Sequence, residues 1–148
     1  MIIINVPQDG NCLFRCIHMY LNPKYTLYER FKNGKIKKKR LNFNEYENSS
    51  KLRFNIVTYL ENNKQDYDNI TFDDDYYNTL EERIEKMKNN TEFGGLIEID
   101  CASKLFNIGI DVYVDNNKSK FNKIASFNPK KRKKCKLLLE DEHYNLII

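Results

Sequence analysis

The 148-residue chain has no tryptophan, five glycines, three prolines and two histidines. With so little glycine and proline, no stretch reads as a linker, and no internal repeat is present, so residues 1–148 are expected to form a single domain. Long hydrophobic runs are missing too. The longest unbroken one, Met1–Ile4, is too short to cross a bilayer or to serve as a signal-peptide core. No membrane association is expected, and a cytoplasmic, reducing location is. The four cysteines, Cys12, Cys16, Cys101 and Cys135, are then expected to be free thiols. None sits in a CxxC pair, and Cys12 and Cys16 lack two further ligands nearby, so no metal and no cofactor are expected.

What is present is enough for a core: 41% hydrophobic residues, with 10 Tyr and 9 Phe. The net charge of +4 is mild, and most of the excess lies in two runs, 35–40 and 130–136. The run Lys130-Lys131-Arg132-Lys133-Lys134 after Pro129 resembles a nuclear import signal, but the favoured reading is a basic hairpin loop between two strands. It lacks interleaved aromatics for base stacking, so nucleic acid is not an expected partner. The abundance of Asn, Lys, Ile and Tyr matches AT-rich coding, a habit of some viruses and intracellular bacteria; it carries no information about the fold.

The hydrophobic spacing places helices first and strands last. A buried helix is expected from Leu13 to Leu21, stopped by Asn22-Pro23. Residues 22–48 are polar and basic, a loop or partly helical insertion. Ser49-Ser50 is expected to cap a helix bearing Leu52, Ile56, Val57, Tyr59 and Leu60, ended by Asn62-Asn63. An acidic, aromatic segment runs over 66–77. A third helix carries Leu80, Ile84 and Met87, and a fourth over 96–106 buries Ile97, Cys101, Ala102 and Leu105. Strands are expected at 110–114, 121–127, 136–139 and 144–148, the last two joined by Glu140-Asp141-Glu142. This order argues for an α+β fold, with helices packed on a small, mostly antiparallel sheet.

The chemistry centres on Asp9-Gly10-Asn11-Cys12-Leu13-Phe14-Arg15. A thiol at the start of a helix, after three turn-forming residues, has two devices available to lower its pKa: the helix N-terminus and a neighbouring imidazolium. Gly10 admits a backbone conformation closed to other residues, and Asp9 and Asn11 favour turns. Amide N–H groups can thereby converge beside the sulfur as an oxyanion site. The alternative is an inert core thiol. Of the two histidines, His18 lies almost two turns along the same helix and reads as a core or partly exposed residue. His143 opens the last strand, and Asn145, two residues on, projects from the same face. An amide oxygen there can hold one imidazole nitrogen and aim the other at the thiol, a Cys-His-Asn arrangement suited to acyl transfer. A plain surface histidine in a turn is the competing reading, and spacing alone does not choose.

The motifs together choose. The chain resembles the ovarian-tumour (OTU) family of cysteine proteases, which are deubiquitinases, over residues 7–148. The resemblance rests on the seven-residue cysteine motif, on Glu142-His143-Tyr144-Asn145 some 130 residues later, and on Phe93-Gly94-Gly95 with Glu98, where the family usually has Trp-Gly-Gly. It implies a small sheet packed between helices. Cys12 would be the nucleophile, His143 the base and acid, and Asn145 its orienting partner. Asp9 and the N–H groups of Gly10, Asn11 and Cys12 would form the oxyanion hole. Phe93, Gly94, Gly95 and Tyr144 would wall a narrow channel for a Gly-Gly tail. The expected substrate is ubiquitin, polyubiquitin or a ubiquitin-like modifier joined to lysine, cleaved by a monomer in the cytoplasm, that of a host included, with the nucleus as the alternative through 130–134. Asp73, Asp74, Asp75, Glu92 and Glu142 are candidate partners for the tail's arginines. Met1 stands eleven residues before Cys12, so no prodomain is expected within this chain. A non-catalytic ubiquitin-binding module is the other functional reading.

Overall fold

In the structure, a computed structural model, residues 3–23, 43–69, 77–116 and 120–148 are described. The basic run 35–40, the acidic run 73–75 and most of the polar stretch 22–48 lie outside the described residues.

Among the described residues, four α-helices precede most of the sheet. Helix α1 (Cys12–Leu21) is apolar nearly all round, burying Cys12, Leu13, Phe14, Cys16, Ile17 and Met19, as a helix at the centre of a core must. It stops where Asn22 caps it, the Asn22 backbone N–H donating to His18 O at 3.0 Å, and Pro23 follows. Helix α2 (Phe43–Asn62) starts earlier than the Ser49 cap expected for it. No breaker separates Glu45 from Asn48, and the i,i+4 pair Glu47–Lys51 (3.1 Å) lies within its exposed face. Ser49 is therefore buried inside the helix and caps nothing. Leu52, Ile56, Val57 and Leu60 form its apolar stripe, each worth about 1.5–3 kcal/mol in transfer free energy.

Helix α3 (Leu80–Met87) is capped by Thr79, whose Oγ1 accepts from Glu82 N at 3.1 Å, and it buries Leu80, Ile84 and Met87 as the spacing predicts. Helix α4 (Leu96–Leu105) buries Ile97, Ile99, Cys101 and Ala102. Leu105, expected inside, is 37% exposed, because its last-turn position lies beyond the packed part of the helix.

The strands are β1 (Ile3–Ile4), β2 (Gly109–Asp115), β3 (Phe121–Phe127), β4 (Lys134–Glu140) and β5 (His143–Ile147), in the order β1-β5-β4-β2-β3. All neighbours pair antiparallel except β2 and β4, which run parallel. The α+β architecture with a mostly antiparallel sheet is thus what the chain adopts. Two features depart from the sequence reading. The first residues form β1, pairing Ile3 with Ile147 and Ile4 with Leu146. And β2 lies between β3 and β4, so residues 130–133 of the basic run sit in a connection that passes the first residue of β2, with Lys134 opening β4, and the run is not a hairpin loop.

One sheet face carries Ile110, Val112, Cys135, Leu137, Tyr144 and Leu146, and these join residues of all four helices in a single core. Among the described residues, no helix is long and apolar enough to cross a membrane.

The β4–β5 turn sets the direction in which the last strand presents its polar side chains. Glu140 pairs with His143 across a two-residue connection in which Asp141 takes a left-handed φ of 56°, a conformation that a short polar side chain tolerates. His143 and Asn145 share one face of β5, as period-2 alternation demands. Tyr144 between them points into the core.

Candidate active site

The turn before α1 is built by Asp9. Its Oδ1 accepts from Asn11 N at 3.0 Å, its backbone O accepts from Cys12 N at 3.2 Å, and its Oδ2 pairs with Arg15 at 2.8 Å. Both carboxylate oxygens are thus engaged in holding the turn. The Asp9 and Asn11 N–H groups, expected in the oxyanion hole, are taken by Pro7 O and Asp9 Oδ1. Among the described residues, Asn11 Nδ2 is a buried side-chain donor of this loop without a partner. Gly10 does not need a left-handed backbone, contrary to the sequence expectation. It is glycine because a Cβ would run into the Asn90 oxygen and the Thr91 carbonyl.

Cys12 opens α1 and is 1% exposed. Its Sγ accepts from Tyr144 N at 3.4 Å, across 132 positions of sequence, which sets the sulfur against the head of the strand bearing His143. The backbone N–H groups of Tyr144, Leu13 and Cys12 all favour the thiolate. Burial disfavours it more, and Asp9 adds to that, so the thiol pKa lies above its ordinary value. This is opposite in sign to the sequence expectation, in which the helix end counts and the loss of water does not. Burial thus favours the thiol form of Cys12.

His143 directly precedes the residue whose N–H meets that sulfur. Its Nε2 lies 3.0 Å from Asn145 Oδ1. The orientation of that amide is fixed from two sides: Val6 N–H, which can only donate, reaches Oδ1 at 3.0 Å, and Nδ2 donates to Glu140 Oε2 at 2.8 Å. An Oδ1 held as acceptor requires the proton on Nε2. The lone pair of neutral His143 then sits on Nδ1, which is buried and has no partner among the described residues. Glu140 entered the sequence reading only as a turn residue. Strand register would have found it, since Glu140 lies opposite His143 and on the same face as Asn145.

Phe93-Gly94-Gly95 runs beside α1. A Cβ on Gly94 would lie 2.7 Å from Leu13 Cδ2 and against the Phe14 ring, so the backbone passes flush over the nucleophile helix. Phe93 is 38% exposed, with exposed Leu96 beside it. The segment is clamped by Glu98, fully buried, whose Oε1 accepts from Gly95 N at 2.8 Å and from Arg83 at 2.6 Å. Tyr144 does not wall a channel with its ring, which is 3% exposed and in the core. Its backbone serves the site, with N–H to Cys12 and O accepting from Cys16 Sγ at 3.6 Å.

His18 is half-buried, its ring 3.3 Å from Asn22 Nδ2, and burial lowers its pKa. It belongs to the end of α1 and not to the site. Among the described residues, no three His, Cys, Asp or Glu side chains converge as metal ligands.

A helix-borne thiol, an imidazole with its proton placed by an amide, and a glycine segment flush against that helix match one pattern of sequence. Residues 7–144 fit the OTU-like cysteine protease family. The chain belongs to that family. Solved structures agree at the level of fold. The OTU domain of OTUD1 superposes with a TM-score of 0.67 at 13% identity, over 99% of this chain and 84% of that one. The viral OTU domain protease from Dera Ghazi Khan virus gives 0.66 at 19% identity, over 98% and 78%. An OTU deubiquitinase from Wolbachia pipientis wMel, bound to ubiquitin, gives 0.61 at 12% identity, over 99% and 94%. No curated protein matches the sequence.

Proposed function

We propose that this OTU-like protease is a deubiquitinase, hydrolysing the isopeptide bond between the C-terminal glycine of ubiquitin, or of a similar modifier, and a lysine. The observation that carries the reading is the His143–Asn145 geometry, which leaves a lone pair on Nδ1 at the head of the strand whose next N–H touches Cys12 Sγ. His143 Nδ1 takes the thiol proton as sulfur attacks the glycine carbonyl. The carbonyl electrons move to oxygen, which finds Gly10 N–H, Cys12 N–H and Asn11 Nδ2 as nearby donors. His143 returns the proton to the departing lysine amine, leaving a thioester on Cys12. It then deprotonates water, which attacks the thioester and frees the glycine carboxylate and the thiol. A thiol with 1% exposure behind a backbone-lined approach favours an extended tail without side chains, and Gly-Gly fits. That three neighbours in fold are described as ubiquitin-bound adds support.

The enzyme is taken to act as a single-domain monomer in the cytoplasm, where ubiquitin conjugates are plentiful. The test is release of a fluorophore from the ubiquitin C-terminus, with Cys12→Ala as the control, and covalent capture by ubiquitin bearing a thiol-reactive C-terminus. Labelling is expected at Cys12. Labelling at Cys16, Cys101 or Cys135 instead, or equal turnover by Cys12→Ala, overturns the reading.

A further inference from the structure

Arg53 lies on the apolar stripe of α2 yet is only 1% exposed. A buried guanidinium normally sits against a carboxylate, because an unpaired charge away from water is costly. Here, among the described residues, no carboxylate lies within ion-pair distance of it. Every strong acceptor is uncharged: Asn11 Oδ1 at 3.0 Å, Met87 O at 3.1 Å, Gly10 O at 2.5 Å and Glu92 O at 2.6 Å, with Asn90 O at 3.4 Å. Its plane lies 4.2 Å over the Phe14 ring. One side chain thus bonds the two residues that precede the nucleophile and the segment that leads into Phe93-Gly94-Gly95. Only the planar five-donor fork of arginine can bridge these groups at once.

Asn11 shows what this arrangement displaces. It is the N-cap of α1, and its side chain makes no capping bond. A capping bond is usually worth about 1 kcal/mol. Oδ1 accepts from Arg53 instead, which turns Nδ2 away from the guanidinium and leaves it buried without a partner. The Gly10 carbonyl, drawn to the same guanidinium, fixes the plane of the Gly10–Asn11 peptide. Local stability of the helix start is given up for one definite orientation of the groups beside Cys12.

We propose that Arg53 is a positioning residue for the reaction: it orients the Gly10 peptide and the Asn11 carboxamide beside Cys12 and sets that loop in register with the residues 87–92 that carry the glycine segment. It touches no substrate. Its effect therefore falls on the chemical step and not on tail binding. The inference rests on the protease reading above.

The experiment compares wild type, Arg53→Lys, Asn11→Ala and the double variant, measuring melting temperature, kcat and KM on a ubiquitin C-terminal fluorogenic amide. Lysine keeps the charge and loses the fork. Arg53→Lys is expected to lower kcat by about 30-fold or more, as a displacement near 1 Å at the reacting groups does, with KM within about threefold. Asn11→Ala removes the loop end of the bridge together with the Nδ2 donor that Arg53 orients, and should lower kcat in the same way at a near wild-type melting temperature. The double variant should fall no further than the worse single one. Should Arg53→Lys fail to fold, Arg53→Gln, which keeps an amide donor and loses the fork, takes its place in the same comparison. Folded variants with kcat within about threefold of wild type, or losses that multiply in the double variant, overturn the proposal. A wild type that cleaves nothing sinks the protease reading itself and this inference with it.

Discussion

The two halves of the proposed catalytic centre are organised over different distances. The base half is local: His143, Asn145 and Glu140 lie within six positions on one hairpin, and among the described residues Val6 N–H reaches them from afar. The nucleophile half is a loop whose own residues make the turn, but whose orientation is held by Arg53 and by the close approach of Asn90 and Thr91. Strand alternation alone puts an imidazole and its amide on one face. A loop has no such period, and something outside it must define its direction.

The largest effects should appear where both halves meet. Cys12→Ala and His143→Ala are each expected to lower kcat/KM by at least about 10^3-fold, and the double variant by no more, because the pair acts as a unit. Additive losses in the fluorogenic assay would separate the halves. Within the base half, Asn145→Ala releases the tautomer and should lower kcat by about 10^2-fold. Glu140→Ala loses one charge-assisted bond and should lower it by about tenfold. A Glu140 effect as large as that of Asn145 would show that the carboxylate does more than hold the amide.

In the nucleophile half, Gly10→Ala should cost about 1–3 kcal/mol of stability by overpacking against residues 90–91, read as a lowered denaturation midpoint. Gly94→Ala should behave alike against Leu13. A smaller, global effect comes from pH. Burial holds the Cys16 and Cys135 thiols above their ordinary 9.0. The folded state keeps these protons longer than the unfolded chain does, so the stability they contribute is complete below pH 9 and is lost as pH rises beyond it. Chemical denaturation at pH 8 and 10.5 checks the sign. The same sign at Cys12 predicts that its alkylation by iodoacetamide keeps rising past pH 9. Replacing Lys130, Lys131, Arg132 and Lys133 by Gln should change stability by no more than about 0.5 kcal/mol, and turnover by less than twofold.

Much of this was legible in the residues, and what was missed has physical causes. Helices α1, α3 and α4 followed from apolar spacing and breakers, and β2 to β5 from alternation and branching. The start of α2 was misplaced because serine signals a cap but is also accepted inside a helix that tertiary packing supports. Strand β1 was not seen: two residues have no period, and pairing with β5 creates it. Asn145 could be read from its distance of two from His143. Arg53 could not, because a cation on an apolar stripe reads as an accident until its acceptors, 34 to 43 positions away, are in place. The sign of the Cys12 shift escaped for a related reason: helix ends are visible in sequence, and water exclusion is not.

Val6 donates to Asn145 across 139 positions, and β1 lies alongside β5. A polypeptide that ends before His143 keeps Cys12 but has neither the strand with which β1 pairs nor the amide that Val6 N–H reaches.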